Sequence, residues 1–391
     1  MRIIQSIKCR KVLNSHVQFT NEFIVSLAGG AEGAGGSPQG ETISIYEDKK
    51  FAIDPTAIVS AIQADGLTGR LITQMEFDSY LLQNIARFGR NNAYALSEAF
   101  FNATRVNGSL FDLFGRTPAN LKAPKLCLNV LNGGWHAYTN PVLSDYSEYI
   151  LVARSNNVGE AIGAHNEIQR VVKERLLKQS KTVINGNPVN RFATTDNREC
   201  LEFLLNVCES LGYANSFDLW IDASAGDLWT DNGYQLAITD KALYTSEQYQ
   251  AYWLDIIRQY GLRFIEDPFR EKDYESWHSL TTSEHGSLVI GDNFYSTDPA
   301  RIEDGAQKHY AHGVLVKPNQ AGTVTAVCKA IETAQQFGQV AITSHRSIST
   351  ESTFLSIITC IFGVEYIKIG PLVTDYSSVV RLNEIIRLTE G

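Results

Sequence analysis

Four short apolar runs between Phe217 and Gln320 each end in a residue able to do chemistry. Leu219-Trp220-Ile221 leads to Asp222, and Leu262-Arg263-Phe264-Ile265 leads to Glu266. Leu288-Val289-Ile290-Gly291 leads to Asp292, and Val314-Leu315-Val316 leads to Lys317. Three carboxylates gathered at one place repel one another unless a cation lies between them, and oxygen ligands of this kind suit Mg2+. Each residue alone has a plainer reading. A lone Asp at a strand end commonly caps the next helix, and a lone Lys commonly snorkels to water. Four in series favour a shared site.

Runs of about four apolar residues bounded by Gly, Pro and Asn read as strands buried on both faces. Segments of helical length, such as 246–260 and 299–307, lie between them. Strand and helix in alternation imply a parallel sheet. Ionisable residues at successive strand C-termini are what a (β/α) barrel presents at its catalytic rim. The barrel is expected to begin at 125–131, with a second strand at 148–153. Upstream, strand-like stretches and helices at 55–64, 76–87 and 91–106 make a small α+β unit. The domain expectation is therefore 1–123 as a capping unit and 124–391 as the barrel. The Gly-rich stretch 28–42 lacks the Lys of a P-loop and the spacing of a dinucleotide fingerprint, and reads as a mobile surface loop.

A chain of 391 residues can bury a large core and favours two domains. With 34 basic and 43 acidic residues the net charge is −9, which argues against a general nucleic-acid or anionic-membrane surface. The six cysteines form no Cys-x-x-Cys pair and read as reduced thiols. The N-terminus lacks the apolar core of a signal peptide, and the apolar stretch 357–364 is too short to span a bilayer. A soluble cytoplasmic protein is expected.

Further motifs lie in line with the first four. They are Asn129-Val130-Leu131-Asn132-Gly133-Gly134-Trp135-His136-Ala137, Ile265-Glu266-Asp267-Pro268, Val289-Ile290-Gly291-Asp292, Lys317-Pro318-Asn319-Gln320, Ser344-His345-Arg346-Ser347 and Ile367-Lys368-Ile369-Gly370. In type, order and spacing they resemble the enolase (phosphopyruvate hydratase) family over nearly the whole chain. The resemblance implies a small α+β cap on a modified (β/α)8 barrel, usually as a homodimer. It implies Asp222, Glu266 and Asp292 as Mg2+ ligands, joined by the hydroxyl of Thr42 from a mobile loop. Lys317 then matches the general base, Lys368 the lysine on the substrate carboxylate, and His345, Arg346 and Ser347 the phosphate and substrate contacts. An ordinary lysine is protonated at neutral pH, so desolvation and neighbouring cations must favour its neutral amine; enolase-type sites are a standing example of a lysine base working beside Mg2+. Gln39 stands where that loop's first serine is found.

The acid side departs from the pattern. Glu148 resembles the family's Gln-Glu-Phe-Met glutamate, with Asp145 as a rival, and His136 matches the active-site His. Val189 stands where the family carries a second acid, and Arg191 nearby could enlarge the anionic pocket. Asn293 and His16 replace an Asp and an Arg. General-acid assistance is worth about 10²–10⁴-fold, so this loss weakens dehydration more than proton abstraction. The expected activity is a Mg2+-dependent lyase acting on a 2-phosphoglycerate-like substrate. The alternatives are a paralogue acting on a phosphonate- or phosphinate-pathway substrate, such as a carboxyphosphonoenolpyruvate synthase-like enzyme, and a catalytically weak binding protein on the same fold.

Overall fold

The computed structural model describes residues 1–40, 43–47, 53–106, 109–117, 120–134, 140–176, 196–370, 372 and 375–390, and the backbone alone of 180–184 and 187–191. Eight strands close into a barrel in the order Phe264–Glu266, Leu288–Gly291, Gly313–Val316, Val340–Ser344, Tyr366–Ile369, Lys125–Asn132, Glu148–Ala153 and Phe217–Asp222. The four runs read as strands from their apolar character all belong to it. Every pairing is parallel except those of Glu148–Ala153, which runs antiparallel to both neighbours. No helix among the described residues separates it from Lys125–Asn132, so the chain returns directly, as short connections require. The reversal has a consequence for chemistry. Glu148, the first residue of its strand, pairs with Asp222 and Asn132, and so reaches the rim where the other strands end.

The barrel interior is filled, not open. Cys127, Ile150, Val152, Trp220, Phe264, Ile290, Leu315 and Ile342 form its plug, with the Trp220 and Phe264 rings stacked at 5.2 Å. The packed floor keeps polar groups at the mouth.

The cap is an antiparallel sheet ordered Glu32–Gly36, Phe19–Leu27, Arg2–Leu13 and Leu71–Ile72. It packs on the helix Arg90–Arg105. Residues Glu32–Gly36 of the Gly-rich stretch form a strand, which corrects the reading of that part as a surface loop. A Cβ on Gly33 would lie 2.0 Å from Ala103 N, and one on Gly35 2.0 Å from Ala95 O. The glycines are there because sheet and helix backbones touch. A small sheet (Trp229–Thr230, Gly233–Gln235, Leu243–Tyr244) and a hairpin pairing Ser180–Ile184 with Asn187–Arg191 complete the strands. All six cysteines are free, and no described helix is long and apolar enough to cross a membrane.

Candidate active site

The barrel register sets Glu266 beside Asp222 and Lys368 beside Ser344, while Asp292 and Lys317 directly follow their strands. Strand ends therefore bring four acids and two lysines to one mouth. Lys368 Nζ lies 2.6 Å from Glu266 Oε2, 2.8 Å from Glu148 Oε2 and 3.1 Å from Asp222 Oδ2. Lys317 Nζ is ion-paired with Asp292 Oδ2. Burial opposes the charge on Lys368, but Glu148, Glu266 and Asp222 outweigh it and hold its pKa well above the ordinary lysine value. Burial, then the repulsion of Asp222, pushes the Glu266 carboxyl upward.

Neighbouring groups fix these side chains. Asn129 Nδ2 donates to Glu148 Oε1 at 2.7 Å. Thr297 Oγ1 accepts from Lys317 N at 2.9 Å and donates to Gln320 Oε1 at 2.8 Å. Gln320 Nε2 in turn donates to Asp292 Oδ1 at 3.3 Å. Asp267, held at a left-handed φ of 42°, accepts from Asp292 N and Asn293 N at 2.9 and 2.8 Å. The turn after Glu266 thus braces the turn that carries Asp292.

No three acidic, histidine or cysteine side chains among the described residues gather closely enough to hold a metal ion between them, and two ammonium groups lie among the carboxylates. The donor set nevertheless fits a hard divalent cation. Four carboxylates contact two ammoniums, leaving a formal excess of two negative charges. Glu266 Oε1 is also buried with no hydrogen-bond partner, which is costly for a carboxylate oxygen.

A second side of the mouth carries the cations suited to an anion. Arg346 is buried, and its Nη1 lies 3.3 and 3.2 Å from the two Glu47 carboxylate oxygens. Gln320 Nε2 also donates to Glu47 Oε1, at 3.2 Å. Ser44 Oγ donates to Asn293 O at 2.9 Å, so the segment 43–47 of the cap lies over the barrel. The cap backbone also comes close at Gly40, where a Cβ would fall 1.6 Å from Arg346 Nη2. His345 is partly buried, with Nδ1 3.5 Å from Asp375 Oδ2. Burial lowers its pKa against the pull of Asp375. The Ser347 carbonyl accepts from Ser15 Oγ at 3.1 Å.

The other expected residues separate. Asp145 accepts from Ile238 N, Thr239 N, Thr239 Oγ1 and Asn197 Nδ2 at 2.5–3.2 Å, which makes it a latch for the loop around Thr239 while Glu148 faces Lys368. Gln39 pairs through its backbone with Ile348 and lines a separate cavity of about 70 Å3 with Lys11 and Asn21. Thr42 and His136 lie outside the described residues, as do the side chains of Val189 and Arg191. Sequence reasoning missed Glu47, Asn129, Thr297 and Asp375. Asp375 carries only the signal of an N-cap residue, accepting from Ser377 N, and Thr297 carries none.

Comparison with known proteins agrees with this architecture. The family described as "Enolase, C-terminal TIM barrel domain" matches residues 120–391. Enolase 2 of Methanospirillum hungatei JF-1 is 29% identical over 413 aligned residues, covering 98% of this chain and 96% of that protein.

Proposed function

Because the chain belongs to the enolase family, we propose that it is a Mg2+-dependent carbon–oxygen lyase acting on a 2-phosphoglycerate-like anion. The observation that carries this reading is the convergence of Lys317 and Lys368 with four carboxylates on one barrel rim. Lys317 takes the proton beside the substrate carboxylate. The released electron pair moves onto that carboxylate as an enediolate, and Lys368 balances the charge there. Collapse of the enediolate forms the carbon–carbon double bond and expels the neighbouring hydroxyl. Glu148, steered by Asn129, supplies a proton so that water departs, with His136 as a second donor. Arg346, with His345 and Ser347, holds the phosphate, which must displace Glu47 from the guanidinium. Asp222, Glu266, Asp292 and the hydroxyl of Thr42 would hold Mg2+, which supplies positive charge to the substrate carboxylate as negative charge builds there. A second copy of the chain is the expected partner.

One sequence feature favours a second reading, a paralogue acting on a phosphono-carboxylate. Val189 cannot give a proton, and Arg191 adds a positive charge in the same hairpin. A purely binding role fits poorly, since burying so many charges costs stability unless they are used. Incubation with 2-phosphoglycerate and Mg2+ in D2O separates the readings. Deuterium at C2 together with phosphoenolpyruvate supports the lyase. Exchange without product supports the paralogue. Neither signal, in protein shown to be folded and loaded with Mg2+, overturns the lyase reading for this substrate.

A further inference from the structure

Behind the turn that carries His345 and Arg346, a cavity of about 30 Å3 lies between the cap and the barrel, lined in part by Tyr94, Glu98, His345, Arg346 and Arg381. Glu98 belongs to the cap helix Arg90–Arg105 and is 1% exposed. Its Oε1 accepts from Ser352 Oγ, while its Oε2 is buried with no hydrogen-bond partner. Arg381, 4% exposed on the last helix, leaves its Nε equally without a partner. An orphaned acceptor and an orphaned donor on the walls of one water-sized cavity satisfy the conditions for a buried bridging water.

From Arg381 the path continues to the active-site turn. Arg381 Nη1 donates to Ser377 Oγ at 2.7 Å, and Ser377 Oγ donates to Asp375 Oδ1 at 2.6 Å. Asp375 Oδ2 then stands 3.5 Å from His345 Nδ1. We propose that the cavity holds one water joining Glu98 Oε2 to Arg381 Nε, and that Glu98 is a positioning residue for His345, acting on its orientation through Arg381, Ser377 and Asp375. The charged groups that face each end are few. Asp375 and Arg381 act on His345 from the last helix, and Glu148 acts from its barrel strand. Arg105 and Tyr94 act on Glu98 from its own helix, with Ser352 and Arg381 across the seam. Arg381 is thus shared between two carboxylates, so removing one of them changes how it serves the other. The consequence for catalysis rests on His345 touching substrate, as proposed above; the test does not.

Histidine ring resonances of the full-length protein, with His345 assigned by its loss in His345→Asn, give its titration directly. Glu98→Leu keeps most of the bulk of the side chain and removes the acceptor that anchors Arg381 through the water. Arg381 is then left to Asp375 alone, and the His345 midpoint is expected to move to lower pH by about 0.5 unit or more, with Asp375→Asn moving it the same way. An unmoved His345 in folded Glu98→Leu protein overturns the proposal. Should that variant not fold, a crystal structure of the unaltered protein decides. A water within hydrogen-bond reach of both Glu98 Oε2 and Arg381 Nε supports it, and a dry cavity overturns it.

Discussion

Lys317 and Glu148 sit on opposite sides of the proposed reaction, and their partners make the division testable. Lys317 is paired with Asp292, and its backbone is pinned by Thr297, so its amine is held at the rim. Lys317→Met should remove C2 deuterium exchange by at least about 10²-fold, the low end of what positioned acid–base groups contribute. Glu148→Gln removes a proton donor but not the base. It should lower phosphoenolpyruvate formation by about 10²–10⁴-fold while exchange persists, read by NMR and product absorbance in one reaction. Equal loss of both signals would count against Glu148 as the acid. Asp145→Asn gives the contrast. Its four donors make it a structural latch, so it should cost stability before it costs chemistry.

Among the elements, legibility followed period and motif. The strands ending in Asp222, Glu266, Asp292 and Lys317 were readable because apolar runs stop at an ionisable residue, and the structure closes them into one barrel. The reversed direction of Glu148–Ala153 was not readable, because a buried strand has the same apolar pattern either way. Nor was the strand Glu32–Gly36. Its glycines give no side-chain period, and the reason for them lies in the helix they touch. Gly35→Ala should therefore overpack that contact and destabilise the cap by about 1–3 kcal/mol, read as a lower urea midpoint. The seam between cap and barrel carries a pH signature of its own. Burial raises Glu98 to about 7, above its unfolded value, so between roughly 4.5 and 7 the native state binds the extra proton. Stability is then highest below this window and falls as pH rises through it, by roughly 3 kcal/mol from this group. Glu98→Gln should flatten that part of the profile. An unchanged slope would place the titration elsewhere.

At the scale of the molecule, the cap and barrel share one polar seam above a charged mouth. Asn319 Nδ2 donates to Asn91 Oδ1 at 2.8 Å, Arg90 Nη1 to Gln320 O at 3.0 Å and Val324 N to Ser97 Oγ at 2.8 Å. These bonds link the cap helix to the short helix Pro318–Ala321 and to the start of the helix Val324–Gln336, so a ligand that orders the mouth is felt across both units. The excess of two formal negative charges at the rim makes a divalent cation the simplest such ligand. A cation bound only by the folded chain stabilises it by about 2.7 kcal/mol at a hundredfold excess over its dissociation constant. Chelator-treated protein titrated with Mg2+ should accordingly show a rising thermal midpoint that saturates. Asp292→Asn leaves one fewer acid beside Lys317 and should blunt the rise, while Asp218→Asn, on the same strand as Asp222 but paired with Arg154, should keep it. A midpoint indifferent to Mg2+ in the unaltered protein would mean that the two lysines already suffice to balance the mouth, and the proposed ligand set would fall with it.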